Sequence, residues 1–229
     1  MNHRLSEARY RELLPPMENA MRMAEINNLP RAAMWMAQIG HESMDLQYME
    51  EIADGSAYNG RTDLGNIYAG DGPRFKGRGP IQLTGRVNYR AFTAWVNRTG
   101  QSNIDFEANP HLLSEPHWGF LAAAYYWVVA RPDINALSDQ RNVTRVTHRI
   151  NGGENGLQDR INRFNRAWEF GNKLLPTGGE PEGRPRSVEK RLDYSRAWIR
   201  QDTFYWCGPA ACQTIILSRT GKMIPEGTL

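Results

Sequence analysis

Two glutamates in the stretch GHESMDLQYMEE, Glu42 and Glu51, are the residues of this chain best suited to acid–base chemistry. In one continuous helix, a separation of nine residues turns the chain by roughly 900°, which would leave the two carboxylates on opposite faces. A shared site therefore requires the helix to end near Met44 or Asp45 and the chain to turn back over residues 48–52. Two carboxyl groups across such a turn could serve as general acid and general base with a water molecule between them. The alternative is an acidic cluster exposed to solvent.

His41 precedes Glu42, but the two residues do not begin a zinc-binding HExxH motif, because position 45 is Asp instead of His. The other histidines have no metal-ligand spacing; they are His3, His111, His117 and His148. We therefore expect no metal site and no cofactor, and a packed or supporting role for His41.

A second polar stretch, GPRFKGRGPIQLTGRVNYR (72–90), contains five basic residues and no acidic one. It lacks the glycine and lysine pattern of a phosphate-binding loop. A nucleic-acid surface with stacking aromatic residues, or a plain surface loop, would also fit this composition. The alternation of apolar and polar residues over 81–84 predicts that Gln82 and Thr84 share one face. There they could bind a sugar hydroxyl or a nucleophilic water.

A third polar stretch, INGGENGLQDR (150–160), predicts a turn at residues 151–153 followed by a helix that carries Arg160. The spacing of its oxygen ligands does not fit a calcium-binding loop. A plain turn at the start of a helix remains the alternative.

Helices must position these residues. Pro15-Pro16 is expected to divide the N-terminal region into two short helices, Leu5 to Leu14 and Pro16 to Ile26. The next helix has Pro30 in its first turn and leads to Glu42.

The remaining regular structure is also expected to be helical, and strand content is expected to be low. Helices are predicted over Tyr89 to Val96, His117 to Ala130 and about Gln158 to Asn172. The second of these, HWGFLAAAYYWVVA, is apolar on nearly every side and is the candidate central buried helix. The Gly-, Asn- and Asp-rich region from Asp54 to Gly79 is predicted to be a long functional loop.

The composition is that of a globular protein, with 40% hydrophobic and 23% charged residues. A net charge of +3 permits an anionic polymer as partner but does not require one. Two cysteines cannot form a disulfide framework, and no apolar stretch reaches the length of a signal-peptide core or a membrane span. We expect a mainly α domain over 1–174, a Pro/Gly-rich linker over 175–186 and a short module over 187–229.

Together, HES at 41–43, GRGPIQLTGRVNY at 77–89, and INGG at 150–153 with the downstream Arg160 resemble glycoside hydrolase family 19. The resemblance covers about Ala24 to Gly171 and is nearer to the phage endolysin branch, as in mycobacteriophage lysins, than to plant chitinases. It implies a lysozyme-like, mainly α fold with a substrate cleft and hydrolysis with anomeric inversion.

The resemblance also implies individual roles. Glu42 matches the general acid, Glu51 the general base, and Thr84 the hydroxyl residue that helps to position the attacking water. Arg160 matches the arginine that pairs with the catalytic carboxylates. Residues implied in substrate binding or support are His41, Gln82, Asn88, Asn151 and Glu154. Glu154 would complete the arginine network, although the turn before it is one residue shorter than in plant enzymes.

The implied function is that of a monomeric phage or prophage endolysin. It would hydrolyse β-1,4 bonds of peptidoglycan after holin-dependent release from the host cytoplasm, without nucleic-acid binding or membrane insertion. A chitinase acting on N-acetylglucosamine polymers and a non-catalytic wall-binding protein are the alternatives.

The tail, LDYSRAWIRQDTFYWCGPAACQTIIL, resembles the start of a C39-like peptidase module. This implies Cys207 as the nucleophile and Gln201 as the oxyanion donor. No histidine follows His148, however, and about 40 residues are too few for a full core. We therefore expect an incomplete, vestigial peptidase module.

Overall fold

The computed structural model describes residues 5–177, which form a mainly helical domain, as predicted. The α-helices are α1 (Glu7–Met23), α2 (Leu29–Glu42), α3 (Asp71–Arg74), α4 (Arg86–Arg98), α5 (Pro116–Tyr125), α6 (Ile134–Asp139), α7 (Val143–Asn151) and α8 (Leu157–Glu169). Short 3-10 turns occupy Ser56–Tyr58, Thr62–Leu64, Pro110–Ser114 and Gly171–Leu174, and a π-helical turn occupies Tyr126–Ala130. β structure within 5–177 amounts to the isolated bridges Glu50–Arg78 and Arg78–Leu83.

The predicted peptidase module with Gln201 and Cys207, and the predicted linker beyond Thr177, lie outside the described residues. Within the described part, no helix has the length and apolar character needed to cross a membrane.

The prediction that Pro15 and Pro16 break the first helix is wrong, because α1 runs through both prolines. Each proline removes one backbone donor and costs about 3 kcal/mol in a helix interior. The helix continues because residues on both sides of the prolines, Leu13, Ala20 and Met21, are buried and pack in the core. Both prolines lie on the less buried side of the helix.

The helix that leads to Glu42 is anchored at both ends. Asn28 caps α2 by accepting a hydrogen bond from the backbone amide of Arg31 (2.9 Å). Burial extends around most of the helix, well beyond the single apolar face that the sequence suggests. Trp35 is fully buried and its ring lies 5.1 Å from that of Trp127. Because large buried side chains of this kind each contribute about 1.5–3 kcal/mol, α2 is a rigid support for the residues at its end.

The prediction that the apolar segment 117–130 forms the central buried helix is confirmed. Its residues 119–125 are all buried in α5, and the last turn widens into the π-helical turn. Side chains of α5 enter two hydrophobic clusters. Phe120 and Ala123 pack in the first cluster, with α1, α2, α7 and α8. Leu121 and Ala122 pack in the second, with α4, Phe75 and other aromatic residues.

The predicted long loop between α2 and α4 is compact. Its main anchor is Asp71, which is 2% exposed and forms an ion pair with Arg86 at the start of α4 (2.5 Å). Glu107 binds the same guanidinium (2.7 Å) and also pairs with Arg90. The loop is therefore fixed to α4 by the buried Asp71, whose charge Arg86 compensates.

Candidate active site

The chain reverses immediately after Glu42, the last residue of α2. Met44, Asp45 and Leu46 have φ values of 49°, 61° and 65°, a left-handed conformation that is uncommon for residues other than glycine. Ser43 stabilises the turn, since its buried hydroxyl accepts a hydrogen bond from the Leu46 amide (2.8 Å). The helix thus ends where a shared glutamate site requires it to end.

Glu42 is held by a buried hydrogen-bonded chain. Arg160 Nη2 on α8 donates to Glu42 Oε1 (2.5 Å), and Nη1 of the same guanidinium donates to Gln38 Oε1 (2.5 Å). Gln38 in turn donates to Thr147 Oγ1 on α7 (3.3 Å). Arg160 is only 2% exposed, and its guanidinium is held between the acceptors Glu42 and Gln38. Sequence reasoning missed Gln38, although its position one helical turn before Glu42 places both side chains on one face.

Glu51, nine residues after Glu42, is held by residues of the loops that follow the turn. Its backbone amide donates to the Gly77 carbonyl (2.9 Å), and the Gly77 amide donates to Glu51 Oε2 (3.1 Å). The Tyr58 hydroxyl donates to Glu51 Oε1 (2.9 Å). Burial, together with this contact to Glu51, raises the pKa of Tyr58, which therefore remains a donor at neutral pH. No sequence pattern marks Tyr58, because it reaches Glu51 through an irregular loop.

The adjacent carboxylate, Glu50, belongs to a different group of contacts. Arg78 Nη2 and Lys76 Nζ lie 3.0 Å and 3.3 Å from Glu50 Oε1. Burial by itself would raise the pKa of Glu50, but these two cations lower it below its usual value. Glu50 is thus a fixed structural anion, whereas Glu51 accepts only neutral donors from its side-chain partners. The two residues do not form an unpartnered, solvent-exposed acidic cluster.

The segment that carries Gln82 and Thr84 is a tight turn, in which Ile81 and Leu83 are buried while Gln82 and Thr84 are half-buried. Arg78 and Leu83 exchange backbone hydrogen bonds (3.2 and 2.9 Å), and Gln82 has a φ of 57°. A left-handed residue inside a closed turn cannot continue a pleated strand. Gly77 is required here, since a Cβ at that position would lie 2.7 Å from Gln82 Oε1 and 3.3 Å from Glu51 Oε2.

The polar side chains of this turn donate to its own backbone. Gln82 Nε2 donates to the Gly79 carbonyl (2.9 Å), and Thr84 Oγ1 donates to the Gln82 carbonyl (2.8 Å). Asn88 Nδ2 donates to the Thr84 carbonyl (2.6 Å). The Thr84 hydroxyl proton is engaged, so its oxygen can accept a hydrogen bond from a ligand or a water, whereas the amides of Gln82 and Asn88 each keep a second N–H as well as an acceptor oxygen.

The predicted turn after α7 is observed, with Gly152 at a φ of 77°. Asn151 stabilises it through Oδ1, which accepts from the Gly153 amide (2.8 Å), and Nδ2, which donates to the Asn155 carbonyl (2.8 Å). The prediction that Glu154 completes the network around Arg160 is wrong. Its carboxylate is 65% exposed and lies 3.4 Å from His148, because the turn holds it at the surface whereas Arg160 is buried within α8.

His41 lies outside the Glu42–Arg160 contact. Its Nδ1 is 2.7 Å from Asp159 Oδ2, and Arg163 donates to the same oxygen (2.6 Å) and also pairs with Asp45. The ring packs against Gly156, where a Cβ would overlap it. Burial opposes ionisation of Asp159, but His41 and Arg163 lower its pKa. The arrangement ties the turn after α2 to α8 and gives His41 a supporting position.

Among residues 5–177, no group of three or more potential metal ligands is present.

No model of a protein family matches the chain, but individual curated proteins are similar to it. A glycosyl hydrolase family 19 domain-containing protein from Haemophilus influenzae is 33% identical over 114 residues, which are 50% of this chain and 51% of that protein. An Arabidopsis thaliana endochitinase is 34% identical over 153 residues, covering 64% of this chain and 49% of the relative. The chain thus spans about half the length of these relatives.

Solved chitinase structures share the fold. Chitinase C from Streptomyces griseus superposes with a TM-score of 0.55 at 23% identity, covering 78% of this chain and 79% of the chitinase. A family 19, class IV chitinase from Zea mays gives a TM-score of 0.54 at 19% identity, covering 78% and 91% of the two chains. The described domain therefore has the lysozyme-like helical fold of family 19 chitinases, and its sequence is similar to proteins of that glycoside hydrolase family.

Proposed function

We propose that this chain is a phage or prophage endolysin that hydrolyses β-1,4-glycosidic bonds of peptidoglycan with inversion at the anomeric carbon. The observation that carries the proposal is a pair of glutamates separated along the sequence by one chain reversal, each fixed by its own hydrogen-bond donors. Glu42 is held by Arg160, and Glu51 is held by Tyr58 and Gly77. The similarity to family 19 proteins supports glycoside hydrolysis as the reaction class.

In this mechanism Glu42 is the general acid. Its Oε1 is occupied by Arg160, so the proton is carried on Oε2 and passes to the departing glycosidic oxygen. Gln38 and Thr147 hold the guanidinium in place, which fixes the carboxyl plane relative to the substrate.

Glu51 is the general base. Tyr58 and the Gly77 amide use one lone pair on each oxygen, and the remaining lone pairs can accept a proton from a water molecule. Thr84 donates to a carbonyl, so its hydroxyl oxygen accepts a hydrogen bond from that water and directs it toward the anomeric carbon. Attack from the face opposite Glu42 inverts the configuration.

A chitinase is the second candidate, because the Arabidopsis relative and both solved structures are named as chitinases. The same two glutamates would cut a polymer of N-acetylglucosamine.

As an endolysin, the chain would act as a monomer on the cell wall after holin-dependent release.

Product analysis separates these functions. Mass spectrometry of digests of purified peptidoglycan and of chitin oligomers is expected to show glycan cleavage in peptidoglycan, and proton NMR of early digests is expected to show the α-anomer first. Cleavage of chitin alone would favour the chitinase. Binding without cleavage of either polymer would indicate a wall-binding protein, and a β-anomer appearing first would contradict the roles given to Glu51 and the water.

A further inference from the structure

A surface pocket of about 600 Å3 lies between the π-helical turn after α5 and the end of α7. Its lining includes Arg131, Asp133, His148, Arg149 and Gly152. The proposed mechanism uses none of these residues. The pocket is open to solvent and has four ionisable side chains in its lining, which suits a charged group of a larger substrate.

The charges around the pocket are only partly compensated. Arg149 pairs with Asp133 (2.7 Å), and His148 faces Glu154 (3.4 Å). Within residues 5–177, no carboxylate pairs with Arg131, which is exposed. Every neighbouring acid therefore already has a partner, and Arg131 is the lining residue whose charge is available to an anion.

Arg131 is also held in a defined orientation. Its Nε donates to the Arg149 carbonyl (3.1 Å), its Nη1 donates to the Ala130 carbonyl (2.9 Å), and its guanidinium carbon lies 5.3 Å from the centre of the Tyr126 ring. An oriented guanidinium loses less side-chain freedom when it binds a carboxylate than a free lysine or arginine does.

Tyr126 connects the π-helical turn to the pocket wall. The Tyr126 hydroxyl donates to the carbonyls of Arg149 and Ile150 (both 3.2 Å), which form the pocket wall. Burial raises the pKa of Tyr126; the charge of Arg131 opposes this rise and that of Glu42 adds to it. Glu42 and Arg131 therefore both lie close enough to one phenol to act on it electrostatically. Gly152 on the rim directly follows Asn151, a candidate substrate-binding residue.

We propose that this pocket is a subsite for a carboxylate of a peptide-substituted glycan, with Arg131 as the residue that binds it. The inference rests on the proposed function and gives it a basis for substrate choice. Peptidoglycan carries peptide carboxylates beside its glycosidic bonds, whereas chitin is uncharged. A cation held in this pocket favours the charged polymer through attraction that chitin cannot provide.

Binding measured without turnover tests this subsite. The full chain carrying Glu42→Gln is titrated calorimetrically with a soluble tetrasaccharide that bears peptide stems, and with chitotetraose. Adding Arg131→Gln is expected to weaken binding of the peptide-bearing probe about fivefold and to leave chitotetraose unchanged. Arg131→Lys retains the charge and should lose less. Arg145→Gln, which removes an exposed arginine of α7 that does not line the pocket, is the matched control.

Three outcomes decide the matter. A selective loss with Arg131→Gln that disappears when the probe's carboxylates are amidated supports the subsite. Equal weakening of both probes, or no weakening of either, overturns it, and thermal unfolding of each variant identifies a loss caused by misfolding. A selective loss in binding together with a wild-type chain that cleaves neither polymer would retain the subsite and reject the proposed hydrolase.

Discussion

At the scale of single residues, the neighbouring glutamates Glu50 and Glu51 differ because their hydrogen-bond and ion-pair partners differ. Glu50 is paired with the cations of Arg78 and Lys76, while Glu51 accepts hydrogen bonds from a phenol and a backbone amide. A carboxylate that already neutralises two cations is poorly suited to take a proton from water. The partners therefore favour Glu51 over Glu50 as the proposed base.

Replacing the proposed acid tests the centre of the mechanism. Glu42→Gln keeps the shape of the side chain but removes the transferable proton, so glycan hydrolysis is expected to fall by at least about a thousandfold. Release of reducing ends from peptidoglycan is the measurement. Glu154→Gln makes the same chemical change at an exposed carboxylate and should retain activity. Wild-type turnover in a folded Glu42→Gln protein would remove Glu42 from the mechanism.

At the scale of elements, the sequence predicts which helices and turns follow one another along the chain better than it predicts the geometry of the loops between them. The helix to Glu42, the buried α5 and the turn before Arg160 follow from periodicity and glycine positions. The contacts of Tyr58 with Glu51 and the left-handed Gln82 depend on packing of irregular loops, for which no residue pattern exists. The predicted break at Pro15-Pro16 is wrong for a related reason, because packing of α1 in the core outweighs the tendency of proline to end a helix.

The close approach of two loops at Gly77 gives a test of element geometry. Gly77→Ala places a methyl group 2.7 Å from Gln82 Oε1 and 3.3 Å from Glu51 Oε2, so the base must shift. Activity is expected to fall at least about tenfold, since small displacements of a catalytic group have large effects on rate. Gly153→Ala is the control, because a Cβ there has no atom within 4 Å. Unchanged turnover with Gly77→Ala would mean that the position of Glu51 is not critical.

The ion pairs that Glu107, in the segment after α4, forms with Arg86 and Arg90 of α4 predict a pH dependence of stability. Hydrogen bonds from Arg90 and Arg86 outweigh burial and lower the pKa of Glu107 from 4.5 to about 2. Its stabilising contribution is therefore complete above pH 4.5 and is lost as the pH falls toward 2. In Glu107→Gln, the free energy of unfolding should be lower at pH 6 and should change less between pH 4.5 and 2. Urea unfolding across this range measures it, and curves that run parallel to wild type would contradict the assignment.

At the scale of the whole molecule, residues 5–177 contain every contact invoked in the mechanism. Thr177 itself is tied to α1, with its hydroxyl 2.9 Å from Glu18 and its carbonyl 3.1 Å from Arg22. We expect a chain truncated after Thr177 to retain glycan hydrolysis within about twofold, since no proposed catalytic group lies beyond it.

Release of free amines from peptidoglycan tests the other half of this prediction. The full chain is expected to release none, because a cysteine site without a histidine lacks its activating base. Loss of glycan cleavage in a folded truncated chain would place part of the site after Thr177. Amine release that disappears in Cys207→Ala would show an active peptidase.

The position of α5 between the two hydrophobic clusters has a consequence for cooperativity. Phe120 and Ala123 contribute to one cluster, while Leu121 and Ala122 contribute to the other. Neither cluster can open without moving the helix whose opposite side supports its neighbour. The cluster that packs around α2 supports Glu42 and, through Met49 and Ile81, also reaches the loops at Glu51, which the cluster around Phe75 and α4 supports from Phe75 and Leu83. Local melting of either cluster would therefore displace the proposed base, so we expect a partly unfolded intermediate of this domain to be inactive.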